Sequence, residues 1–159
     1  MFDCRVLPRG LGNIAGCFQS PFGKQAALLQ IPPAMIRFLH TRIRVRDLDK
    51  SVAFYQQLGY TLREFKDSPQ GNRLAFLVLP GNDVFLELCH SPGYTAACPE
   101  DLMHTALGVP DIIAYCDQVE KAGIEIWPSG WREKFSGGGR KMAFVTDPDG
   151  YEVEILENR

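Results

Sequence analysis

The sequence predicts an α+β fold of two tandem βαβββ modules whose sheets form a curved, incomplete barrel. Three observations carry that prediction. A stretch beginning at His40 returns at His104. Short runs alternate apolar and polar residues. Each segment of helical character lies between a capping residue and a glycine.

The repeat sets the order of the elements. "HTRIRVRDLDKSVAFY" from His40 and "HTALGVPDIIAYCDQV" from His104 share His-Thr, then Val45 with Val109, then Asp47 with Asp111. Each copy opens with a strand, over about 40–46 and 103–109. Asp47 and Asp111 are suited to accept from the free N–H groups of a helix start, predicting helices over about 48–58 and 112–122. Gly59 and Gly123 follow at the position where a helix end favours left-handed backbone.

Three strands complete each copy, at about 60–66, 72–79 and 83–89, then 123–127, 140–146 and 151–156. Their hairpins turn at "PGND" and "DPDG". Ala75-Phe76 matches Ala143-Phe144, and Glu87 in "FLEL" matches Glu154 in "VEIL". The modules are expected to span residues 35–98 and 99–159.

Residues 1–34 differ in kind, with a single acidic residue, Asp3, and no sustained period. They lack the basic start and apolar core of a secretory signal. A flexible extension, or a start assigned upstream of Met35, is expected ahead of an organelle transit peptide.

Composition narrows the function. Apolar residues at 45% and charged residues at 23% describe an ordinary globular chain, in which no apolar run approaches a membrane span. A net charge of -2 and a pI near 5.9 exclude the basic field that nucleic acid or an anionic membrane surface requires. Five cysteines without a CxxC fit neither a disulfide framework nor a thiolate zinc site, and point to a reducing cytoplasm.

Two of the three histidines, His40 and His104, open the repeats, and Glu87 and Glu154 lie on the last strand of each. A pseudo-twofold relation between the copies would bring these four together. Two imidazoles and two carboxylates without sulfur suit a divalent transition metal. Four protein ligands in an octahedral site leave two positions for water or substrate. His90, whose counterpart is Glu157, reads as structural or exposed. Glu120, Glu125, Glu152 and Glu157 read as solvated. Arg44 shares parity with His40 and Arg42 and is a candidate clamp for a substrate carboxylate. The long loop "WPSGWREKFSGGGRK" is basic, aromatic and glycine-rich, and reads as a lid or binding loop that supplies Arg140 to substrate.

At these residues a resemblance emerges. "FLHTRIRVRDLDKSVAFYQQLGY", "HTALGVPDI" and "MAFVTDPDGYEVEIL" resemble the lactoylglutathione lyases (glyoxalase I) of the vicinal oxygen chelate superfamily, from about Met35 to Glu157. The resemblance implies a glyoxalase/bleomycin-resistance-like fold and metal ligands at His40, Glu87, His104 and Glu154. It implies one divalent metal per site, Ni2+ or Co2+ ahead of Zn2+, since the chain is of the short type. It implies conversion of the glutathione–methylglyoxal hemithioacetal to S-lactoylglutathione, a detoxification of methylglyoxal. Glu154 is then the favoured base, with Glu87 a ligand and possible second base. It implies a homodimer, with His40 and Glu87 from one chain and His104 and Glu154 from the other. Where the family has Asn four residues after the first Glu, holding the γ-glutamyl group, this chain has Ser91. Two alternatives remain within the superfamily: a metal enzyme acting on another substrate, and a bleomycin-resistance-like binding protein. The second Glu argues against a dioxygenase, which prefers two His and one carboxylate.

Overall fold

Four strands and a helix come first. The computed structural model describes residues 37–134 and 139–158. The extension expected over residues 1–34 lies outside the described residues, as do residues 135–138 of the loop. The chain runs β1 (His40–Arg44), α1 (Leu48–Gln57), β2 (Thr61–Asp67), β3 (Arg73–Val78) and β4 (Phe85–His90), then β5 (His104–Val109), α2 (Ile112–Lys121), α3 (Trp131–Lys134), β6 (Met142–Thr146) and β7 (Glu152–Glu157).

The helices form where the sequence places caps. Asp47 accepts from the Lys50 N–H and Asp111 from that of Ala114, satisfying donors that a helix start leaves without partners. The Asp47 carboxyl is held below its ordinary range by its backbone hydrogen bond with Lys50. Gly59 and Gly123 end the helices at φ 96° and 84°, which a side chain would strain. In α1 the buried residues are Leu48, Ser51, Val52 and Tyr55, one stripe at helical spacing. Burial of each large apolar side chain there stabilises by about 1.5–3 kcal/mol.

The two sheets repeat one plan. In the first the order is β1-β4-β3-β2, and in the second β5-β7-β6. The opening strand of each sheet pairs in parallel with its closing strand, and that strand pairs antiparallel with the one before it. The parallel pairs need a long crossover, which the helix and hairpin supply.

The expected strand at 123–127 is a correction. It is reduced to a single antiparallel bridge between Trp127 and Phe144. Trp127 and Phe144 exchange both backbone hydrogen bonds, and past Pro128, whose φ is fixed, the chain turns into α3. Trp131 of α3 is buried, and Arg132 pairs with Asp117 and Glu120 of α2. The first part of the expected lid is therefore packed down on the fold.

One apolar core runs through both repeats. It joins Ile43, Tyr55, Leu77 and Leu88 to Ile112, Val145, Val153 and Ile155 in one cluster. Polar bonds reinforce the junction. Ser51 Oγ and the Arg46 N–H and Nε–H donate to Asp149, and the Tyr55 hydroxyl donates to Asp147. The "DPDG" turn of the second repeat is thus anchored on α1 of the first. At Gly150 a Cβ would lie 2.7 Å from the Cys98 carbonyl oxygen, so the turn accepts only glycine there.

Candidate metal and catalytic site

The site begins with register. Along β1 and β4, Arg42 faces Glu87 and His40 faces Phe85. Along β5 and β7, Ala106 faces Glu154 and His104 faces Glu152. Each His is therefore two residues before the position opposite its Glu, on the same face of the sheet. The pairs close on this diagonal. His40 Nε2 lies 3.3 Å from Glu87 Oε2, and His104 Nε2 lies 3.8 Å from Glu154 Oε2. A phenylalanine stands opposite each Glu on the remaining neighbour strand, Phe76 for Glu87 and Phe144 for Glu154.

The aromatic neighbours differ. The His40 ring stacks on Phe85 with centroids 5.0 Å apart, whereas the His104 ring meets Phe144 edge-on at 6.5 Å. The glutamates differ more. The Glu87 side chain is 3% exposed and that of Glu154 is 17% exposed. Arg42 Nη2 approaches Glu87 Oε1 to 2.5 Å but without hydrogen-bond alignment, so this buried oxygen accepts no hydrogen bond. A buried carboxylate oxygen with a lone pair to spare suits a cation ligand. The donor set of both pairs, imidazole nitrogen and carboxylate oxygen, fits a divalent transition metal.

The four residues do not meet in one chain. Among the described residues no three His, Cys, Asp or Glu side chains gather as a metal site. Convergence within one chain, expected from the pseudo-twofold relation alone, is corrected to two separate His–Glu pairs. A cavity of about 350 Å³ between β1, β4 and β5 includes Thr41, Phe85 and His104 in its lining but not His40, Glu87 or Glu154.

The other expected contributors are dispersed. The Arg44 guanidinium lies over the Tyr94 ring at 5.7 Å, and the Arg44 backbone N–H donates to the Tyr151 hydroxyl. Ser91 Oγ donates to Asn72 Oδ1 at 2.6 Å, tying the end of β4 to the β2–β3 turn. Arg140 is exposed. His90 Nδ1 lies 3.2 Å from the Val45 carbonyl oxygen, a structural contact.

Glu152 is not solvated as expected. It is 8% exposed and accepts from the Asp101 N–H. With Glu100, Asp101, His104, Trp127 and Phe144 it lines a hollow of about 330 Å³. Sequence reasoning also passed over Arg42. Its parity with His40 was the available signal, because residues of like parity share a sheet face.

Residues 37–155 match the model of the Glyoxalase/Bleomycin resistance protein/Dioxygenase superfamily. The chain belongs to this superfamily. Among glyoxalase-superfamily relatives, the chain is 37% identical over 131 residues to the lactoylglutathione lyase of Haemophilus influenzae, covering 78% of this chain and 94% of that one. It is 39% identical over 125 residues to a probable lactoylglutathione lyase of Synechocystis, covering 75% and 93%. Among solved structures it resembles the trypanothione-dependent glyoxalase I of Leishmania major, with a TM-score of 0.63, 34% identity and coverage of 77% and 86%. The glyoxalase I members of the superfamily are metal-dependent. No helix among the described residues is long and apolar enough to cross a membrane.

Proposed function

We propose that this chain is a metal-dependent lactoylglutathione lyase. It isomerises the hemithioacetal of glutathione and methylglyoxal to S-lactoylglutathione and so removes methylglyoxal. The observation that carries the reading is the His–Glu pair at the same register in each repeat, in a chain whose relatives bear that name. His40, Glu87, His104 and Glu154 hold the metal, nickel or cobalt ahead of zinc. When bound, the cation polarises the two substrate oxygens and makes the neighbouring C–H acidic.

The protein's own groups then move the proton. A carboxylate takes it from the carbon bearing sulfur, leaving an enediolate. It returns the proton to the adjacent carbon, the former ketone, while the hydroxyl proton passes to that carbon's oxygen. Glu154 suits this role better than Glu87. It is the more exposed of the two, its one close partner is a 3.8 Å imidazole, and no arginine holds it. Glu87, buried between His40 and Arg42, suits a fixed ligand. Arg44, Ser91 and Arg140 bind the glutathione portion, Arg44 through a carboxylate.

The working unit is a homodimer with each site shared between chains. Two half-sites in one chain are what such sharing requires. Large apolar side chains also stand exposed beside both histidines: Phe38 and Leu39 before His40, and Leu102 before His104. The free thiols Cys89, Cys98 and Cys116 are in keeping with a reducing cytoplasm.

The test is thioester formation from methylglyoxal and glutathione, followed by ultraviolet absorbance in protein loaded with nickel, cobalt or zinc. Glu154→Gln should lower turnover by roughly 100-fold or more, as loss of a general base does. A metal-loaded dimer that forms no thioester would sink the reading.

A further inference from the structure

The two His–Glu pairs share a register but not a charge environment. In the second repeat the residue facing Glu154 is Ala106; in the first, the residue facing Glu87 is Arg42. The Arg42 side chain is half exposed, and its guanidinium reaches the buried Oε1 of Glu87 while His40 holds Oε2. Each oxygen of this carboxylate thus has a close neighbour, and the one facing Arg42 accepts no hydrogen bond.

A divalent ion on Glu87 and the Arg42 guanidinium would draw on the same carboxylate at close range. Like charges so placed repel, and the repulsion is weakly screened beside a buried group. Arg42 sits at the solvent side, with a long flexible stem, and is free to leave the carboxylate when a stronger cation arrives. Among the described residues no arginine or lysine is paired with Glu154.

We infer that Arg42 is a built-in competitor for the metal: it weakens and thresholds cation uptake at the His40–Glu87 pair. The inference rests on the metal-site reading above. It makes the two half-sites unequal, with the second repeat the tighter donor and the first the regulated one. The opposite role is a positioning residue that holds Glu87 ready for metal. The two roles predict opposite signs.

The experiment is equilibrium competition for cobalt or nickel between a coloured chelator and the full chain, stripped beforehand by dialysis. Wild type is compared with Arg42→Met, Arg42→Gln and Glu87→Gln, folding being checked by circular dichroism. Removing the guanidinium should tighten metal binding roughly tenfold or more, the scale on which groups touching a ligand change affinity. Arg42→Gln covers the case in which Arg42→Met does not fold. Equal or weaker binding by the Arg42 variants overturns the inference while leaving the metal site intact. Binding unaffected by Glu87→Gln, or none by any of the proteins, overturns the metal-site reading and the inference with it.

Discussion

Ser51 Oγ donates to Asp149 Oδ2 at 3.1 Å, with both residues fully buried and 98 positions apart in the chain. Asp149 also accepts from the Arg46 N–H and Nε–H at 2.8 Å. One carboxylate thus joins the N-terminal turn of α1 to the turn before β7. Asp149→Ala would leave the Arg46 backbone N–H without its partner and the Ser51 hydroxyl with the Asp47 carbonyl alone. The expected loss is about 2–4 kcal/mol of stability, read as a lower denaturant midpoint. Asp149→Asn, which keeps an acceptor, should lose less.

Asp147 makes a pH-dependent contribution of defined sign. Burial, the largest cause, raises its carboxyl above the ordinary 3.8, although the N–H groups of Tyr151 and Asp149 and the Tyr55 hydroxyl pull the other way. The folded chain therefore holds this proton more tightly than the unfolded chain. The stabilisation is full below about 3.8 and is lost as pH rises through the higher folded value. Asp147→Asn removes this titration. Melting curves should show wild type losing ground to Asp147→Asn as pH climbs from about 3.8. A gap that stays constant with pH would contradict this.

Shared sites make a prediction that no single-chain site can meet. Glu87→Gln and Glu154→Gln should each be nearly inactive as homodimers. Mixed by unfolding and refolding together, they form heterodimers in which one site collects both substitutions and the other collects none. With random pairing, about a quarter of wild-type activity should return. Sites closed within one chain would give no recovery on mixing.

Much of the fold was legible because the chain writes it twice. Asp47 and Asp111 announce the helix starts, Gly59 and Gly123 the ends, and alternation marks the strands. The shortfall at 123–127 has a local cause. Apolar alternation there is genuine, but only Trp127 meets β6, and at Pro128 the chain turns away into α3. The candidate site was legible as residue types and parity, which point to the residues of the two His–Glu pairs, His40–Glu87 and His104–Glu154. What parity lacks is register. Only the pairing of β1 with β4 shows that Arg42 faces Glu87. Only that of β5 with β7 sets Glu152 opposite His104, in a hollow roofed by Asp101. Burial of "DPDG" against α1 was hidden for a similar reason, since a turn signal says nothing about what the turn docks on.

The diagonal between His and Glu also governs how the chain tolerates change in length. Forty-seven positions separate His40 from Glu87 (87 − 40), and fifty separate His104 from Glu154 (154 − 104), yet the two diagonals match. The surplus is absorbed away from the paired strands. An inserted or deleted residue inside β1 or β5 would instead turn the histidine to the opposite sheet face. Descendants of this chain can therefore lengthen or trim the segment between Trp127 and Lys141 and still keep the donor geometry. Novelty in what the protein grips is expected to accumulate there, while the strands stay fixed in length.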